Sequence, residues 1–359
     1  MTQKRLLILC PYPEAHAPSQ RLKYEQYFPA FRAAGWQVTV KPFMNVPFWN
    51  IAFKKGRLPL KIYHTVLAYF RRLLVLATIP RYTVVYIHLW CTPFGPPLYE
   101  WLACHLSGKM IYDIDDLVFL KEGDQGNNLA ALLKGRNKPI FLMRHAQHVI
   151  TCTPYLDAFV RKYNSHTTDI SSTINTNTYL PVDTYDNDHV LTLGWSGSHS
   201  TVKYLRLLKD ILLELRKQVR FRLMVVGDAS FEMEGIEVEA SAWSEDIEIP
   251  SLRSMDIGLY PLPLNEEWVL GKSGLKALQY MAVGIPVVAA GVGCNDRVVE
   301  EGETGFLVSA PEEWIEKLLL LCRDPALRMR MGKAGRKRVE ERFSVRANTG
   351  SYISILDNS

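Results

Sequence analysis

The sequence has no C-x-x-C pair and no close grouping of Cys and His with zinc spacing; its six cysteines, Cys10, Cys91, Cys104, Cys152, Cys294 and Cys322, are scattered. A structural zinc site and a disulfide framework are therefore not expected, and reduced, buried thiols in a cytoplasmic protein are. No apolar run approaches the roughly 18 residues that a membrane-spanning helix needs. The N-terminal run "LLILC" is short and leads straight into "PYPEAHAP", which does not read as a signal peptide. Charge of one sign is also scarce. The 42 Lys and Arg against 37 Asp and Glu leave a formal net charge of +5. That excess is too small to argue for nucleic acid, and it suits an anionic substrate or an anionic membrane surface. Short-period repeats and low-complexity tracts are missing as well.

What is present is an ordinary globular composition, 48% hydrophobic and 22% charged, over 359 residues, which leaves room for two cores. "RLLILCPYP" reads as a buried strand ending in a Pro-rich loop. A helix over "SQRLKYEQYFPAFRAAG" follows, with Ser19 as its cap and Gly35 as its stop, and then the strand "WQVTVKPF". Residues 54–80 are basic and amphipathic. Further strands are expected at "YTVVYIHLW", "KMIYDIDDLVFL" and "AQHVITC", several of them continuous apolar runs that suit a parallel sheet covered on both faces. The chain turns polar from Asp169 to Asp188, and the rhythm then restarts with strands at "VLTLGWSGS", "FRLMVVGD", "IEVEASAW", "MDIGLYPL" and "IPVVAA". The expected organisation is an α/β domain over 1–185, a second over 186–335, and a helical segment over 336–359 that packs back toward the first.

"GKSGLKALQYMAVGIPVVAA", Gly271 to Ala290, opens like the end of a P-loop, but Glu266 stands where the first P-loop glycine belongs. The stretch reads better as a helix feeding a buried strand. Ser273 is placed to cap it, Leu275, Leu278 and Ala282 face the sheet, and Lys276 and Gln279 share another side with Lys272 nearby. Two lysines at a helix start oppose the macrodipole and so point to an anion held there, near the sheet edge where α/β ligands bind. A solvated lysine face is the plainer alternative.

These residues carry a resemblance over nearly the whole chain. "LGWSGSHSTVKYL" (193–205), "DIGLYPLPLNEEWVLGKSGLKALQYMAVGIPVVAAGVG" (256–293), "EEGETGFLV" (300–308), "YDIDD" (112–116) and the Ser19/Arg21 pair together resemble the retaining glycosyltransferases of the GT-B fold, family 4. The branch resembled has GK…K…QYMA in place of the usual pair of glutamates. The resemblance implies two doubly wound Rossmann-like domains facing a central cleft. It implies transfer of a sugar from a nucleotide-diphosphate sugar to an acceptor hydroxyl with retention, without a cofactor or metal. A saccharide or lipid-linked acceptor, a role in cell-surface polysaccharide or glycolipid synthesis, and no nucleic acid partner go with it.

By the same resemblance, Lys272, Lys276, Ser273 and Gly274 meet the donor diphosphate, with Arg21 a further candidate for the departing diphosphate. Gly197 and Ser196, in the turn 194–198, are the remaining candidates there, the turn serving equally as a plain helix cap. The family's two glutamates map to Gly271 and Gln279, so Gln279 is left to accept the ribose hydroxyl through an amide oxygen, and Trp243 is a candidate to stack on the base. Asp113 and Asp115, on one side of a strand, are assigned to sugar hydroxyls or to the acceptor, with Asp116 ranked third and His88 as the other first-domain catalytic candidate. A catalytically degenerate binding or scaffold protein and a sugar-nucleotide epimerase on the same architecture are the competing readings. The basic amphipathic stretch 54–72 adds a possible anionic surface, the inner membrane face, for an otherwise cytoplasmic protein.

Overall fold

A computed structural model describes residues 3–115, 135, 137–185 and 189–358; Asp116 lies outside them. The chain divides into two compact units, Met1–Ser171 with Asn348–Ser359, and Ser172–Ala347. The division falls at 171 rather than at the expected 185 because the polar stretch is anchored from Ser172 onward. Ile174 and Tyr179 are buried in the second core, and the Arg336 guanidinium donates to the carbonyls of Thr176 (2.8 Å) and Ala282 (2.6 Å). At the other end the division falls at 347 rather than 335. Val339 and Phe343 join the second core, whereas the Tyr352 ring lies 4.3 Å from that of Tyr27, and Lys109 donates to the Leu356 carbonyl, both inside the first unit.

Among the described residues the first unit holds a six-stranded parallel sheet in the order β2-β1-β3-β4-β5-β6. The strands are β1 (Lys4–Cys10), β2 (Trp36–Pro42), β3 (Val84–His88), β4 (Met110–Asp113), β5 (His148–Thr151) and β6 (Thr167–Asp169). Leu6 to Cys10 and Val84 to His88 are buried throughout, as helices on both faces require of central parallel strands. The single helix expected after β1 is broken into Pro18–Arg21, a 3₁₀ turn Glu25–Tyr27 and Phe28–Ala33, capped by Ala17 rather than Ser19. Pro29, which has no N–H to give, sits in the first turn of the last piece, where none is needed. Gly35 ends it at φ +86°, a conformation that favours glycine.

The second sheet, β12-β11-β10-β7-β8-β9, is also parallel. Its strands are β7 (Leu191–Ser196), β8 (Phe221–Val226), β9 (Val238–Ser241), β10 (Ile257–Tyr260), β11 (Val287–Ala290) and β12 (Gly305–Val308). Counted from β7, this is the doubly wound dinucleotide-fold order, and the chain reverses direction across the sheet between β7 and β10. In such sheets a crevice opens beyond the carboxyl ends of the two strands at the reversal, here Ser196 and Tyr260.

Candidate functional site

The side chain at that reversal is Lys276. It belongs to the helix Leu275–Ala282, which leads into β11. Its Nζ lies 5.3 Å from the ring centroid of Trp195, near the end of β7, and 5.5 Å from that of Tyr260, the last residue of β10. The helix is pinned there by Tyr280, whose hydroxyl accepts the Ser196 N–H (3.0 Å) and donates to the Leu259 carbonyl (3.3 Å), tying the two diverging strands together. Among the described residues no carboxylate pairs with Lys276. Burial, and secondarily the charge of Lys272, pull its pKa down to about 8. A half-buried ammonium held between two ring faces beside a second lysine is a site that an anion would stabilise.

The surrounding backbone allows close approach. Gly274 caps the helix at φ +73°, and a Cβ there would lie 2.8 Å from Val298. The cap is thus Gly274 and not Ser273, whose hydroxyl instead meets that of Ser172 at 2.6 Å. Trp195 and Ser196 lie within β7 rather than in a turn, and both are buried. A Cβ on Gly197 would lie 2.5 Å from the Trp195 ring and 2.8 Å from Lys276 Cε, so Gly197 and Lys276 are brought into contact. Ser198 is engaged locally, with its N–H on Thr201 Oγ1 at 3.2 Å. Lys272 precedes the helix, its Nζ 5.5 Å from the Trp268 ring.

Gln279 and Trp243 meet through a residue the sequence did not single out, Glu248. It lies in the helix Glu245–Arg253, whose first turn is acidic, as the macrodipole favours. Glu248 is buried and accepts from Gln279 Nε2 (3.0 Å) and Trp243 Nε1 (3.2 Å) on one oxygen and from the Tyr179 hydroxyl (3.0 Å) on the other. Gln279 Nε2 also donates to the Tyr179 oxygen at 3.1 Å. Sequence reasoning passed over this helix because Pro250 interrupts a short polar stretch. Its acidic opening, Glu245, Asp246 and Glu248 after Ser244, was the available signal.

Arg21, His88, Asp113 and Asp115 belong to the first unit. The expectation that Asp113 and Asp115 share a strand face does not hold, because β4 ends at Asp113. Asp113 is fully buried, and its oxygens are taken by Lys23 Nζ and the Tyr86 hydroxyl, with His88 Nδ1 3.5 Å away. Burial pushes its carboxyl up, but Lys23 and His88 outweigh that and hold it below the ordinary aspartate range. His88 is equally buried, its ring centroid 5.1 Å from that of Tyr24. Neither side chain is exposed. Asp115, just beyond the strand, is half-buried, as is Arg21 at the end of its short helix. Leu89, following His88, holds φ +60°, a strained conformation for leucine, with its carbonyl accepting from the Tyr112 hydroxyl at 2.9 Å. Among the described residues no group of three or more His, Cys, Asp or Glu side chains could hold a metal ion.

Known proteins resemble this chain in part of its sequence and in its fold. Residues 190–324 match the family described as Glycosyl transferases group 1. A trehalose synthase of Pyrococcus horikoshii is 34% identical over 85 residues, 24% of this chain and 20% of that protein. A D-inositol 3-phosphate glycosyltransferase of Corynebacterium glutamicum is 45% identical over 62 residues, 17% of this chain and 15% of that protein. The matches thus span a fifth or less of these relatives' length. Among solved structures, a glycosyltransferase of Rickettsia africae superposes with a TM-score of 0.72 at 14% identity, covering 100% of both chains. The Anabaena HepE protein in complex with UDP superposes with a TM-score of 0.66 at 16% identity, covering 99% of this chain and 100% of that one. Residues 190–324 are therefore similar to the group 1 glycosyl transferases, on a chain whose two parallel sheets have the GT-B fold.

Proposed function

We propose that this chain is a retaining glycosyltransferase whose second unit binds a nucleoside-diphosphate sugar. The observation that carries the reading is the Lys276 ammonium, set at the reversal point of the second sheet with no carboxylate paired to it among the described residues. The HepE structures with UDP and with UDP-glucose support a donor of this class on this fold. Lys276, Lys272 and the backbone around Ser273, Gly274 and Gly197 hold the diphosphate, with Ser196 and Arg21 as further contacts. Gln279 accepts a ribose hydroxyl, and Trp243 lies by the base.

Positive charge at this place does its work as the glycosidic bond breaks and negative charge builds on the leaving diphosphate. The sugar passes through an oxocarbenium-like state. The acceptor hydroxyl attacks the face that the diphosphate leaves, and the leaving phosphate takes its proton. Asp115, half-buried just beyond β4, is proposed to meet sugar or acceptor hydroxyls. The test is turnover of a panel of nucleotide sugars with the product anomer read by NMR. Retained configuration is expected; an inverted product contradicts the mechanism, and nucleotide binding without turnover on any donor favours a binding protein.

The acceptor is proposed to be lipid-linked and met at an anionic membrane surface. The helix Leu58–Leu76 buries Ala68, Arg72 and Leu76 but leaves Tyr63, Val66, Phe70 and Leu74 exposed on the opposite side, with Ile62 exposed at its flank, and is preceded by exposed Lys54, Lys55 and Arg57. An apolar stripe edged by basic residues suits the headgroup region of an anionic leaflet. Among the described residues no helix is long and apolar enough to cross a membrane.

A further inference from the structure

The network around Glu248 explains why an amide stands at 279. Tyr179 gives its hydroxyl proton to Glu248, so it offers Gln279 only lone pairs, and a carboxylate is likewise an acceptor. Both neighbours of the Gln279 head group therefore demand a donor. The amide must turn its nitrogen toward them, and its oxygen is left facing away, with no hydrogen bond among the described residues. A glutamate at 279 would instead set its charge where Gln279 Nε2 now lies, 3.0 Å from Glu248 Oε1, and one of the two would have to take up a proton.

We propose that Glu248 is a positioning residue for donor binding: its carboxylate locks the Gln279 amide nitrogen inward and leaves the carbonyl oxygen as acceptor for the donor's ribose. The carboxylate of this site thus sits on the helix Glu245–Arg253, and the acceptor offered at 279 is neutral. This rests on the donor-site reading above. It makes positions 248 and 279 a coupled pair, in which the acid and the amide are exchangeable together but not singly.

The test compares the intact protein with Glu248→Gln, Gln279→Glu and the double exchange, titrated calorimetrically with UDP and GDP and with their 2′,3′-dideoxy counterparts. The unaltered protein should prefer the ribonucleotide about tenfold, the worth of a hydrogen bond of about 1.4 kcal/mol. Glu248→Gln, which lets the 279 amide turn over, should reduce that preference to within about twofold. Gln279→Glu should weaken nucleotide binding and make it strengthen as pH is lowered, while the double exchange should restore the preference and remove the pH dependence. A full preference retained in Glu248→Gln, or a double exchange no better than its parents, overturns the proposal. If one single variant does not fold, the double exchange decides: recovery of folding and preference supports the pairing, and failure to recover overturns it. Binding of UDP or GDP without any preference in the unaltered protein would remove the ribose contact while leaving the diphosphate site standing. Absence of binding to either would remove the donor-site reading itself.

Discussion

Lys276 is held in a charged form that the protein makes costly. Burial and Lys272 bring its pKa to about 8 from the ordinary 10.5. The folded state therefore binds fewer protons than the unfolded one between those values, and this group makes the protein more stable as pH rises through that window. A bound diphosphate has the opposite effect, favouring the ammonium and lifting its pKa above 8. Nucleotide binding should then take up a proton above pH 8, and affinity should fall as pH rises from there, by up to about tenfold per unit. Calorimetry in buffers of different ionisation enthalpy reads this directly; an affinity flat from pH 7 to 9.5 would separate Lys276 from the anion. Asp113 makes the contrast. Asp113→Asn leaves Lys23 buried without its counter-charge, at a cost of about 3–5 kcal/mol. Thermal unfolding should show a large fall in stability, mostly recovered in Lys23→Met/Asp113→Asn. Unchanged stability with lost turnover would instead make Asp113 catalytic. The sequence showed the aspartate but not its partner, because Lys23 is ninety residues away and only the fold brings them together.

At the scale of elements, the central strands were legible because a parallel sheet needs unbroken apolar runs, as in Leu6–Cys10 and Val287–Ala290. Elements that depend on tertiary context were not. The short edge strand β6 has no apolar run of its own, and the helix Glu245–Arg253 is acidic and interrupted by Pro250. The cap at Gly274 instead of Ser273 follows from space, since Val298 leaves no room for a side chain there. The helix Leu58–Leu76 read as amphipathic, yet its inward face carries Arg72, which donates to the carbonyls of Cys91, Cys10 and Lys41, and its outward face is apolar. A helix arranged this way should bind lipid. The protein should co-sediment with vesicles containing anionic phosphatidylglycerol at low salt and release as salt is raised, and Ile62→Glu/Val66→Glu should abolish the binding without lowering thermal stability. No sedimentation with such vesicles at low salt would dismiss the membrane contact.

At the scale of the whole molecule, two rounds of strand and helix were readable from the sequence, and both sheets are parallel and doubly wound. The boundary was less legible, because a polar segment can be tied down by one residue far along the chain, as Arg336 ties 176–179. The proposed donor site was legible in part. Lys272, Lys276, Gly274 and Gln279 stand close together in the sequence, whereas Trp195, Tyr260, Tyr179 and Glu248 reach them only through the fold. The measurement that bears most directly on the account is titration of the intact protein and of Lys276→Ala with UDP, GDP and ADP. The account predicts that at least one nucleotide binds and that its affinity drops about 10- to 100-fold in Lys276→Ala, the loss of a charge-assisted hydrogen bond, with thermal stability unchanged or raised. Equal affinity in the two proteins, or no binding of any nucleoside diphosphate to the unaltered chain, would contradict it.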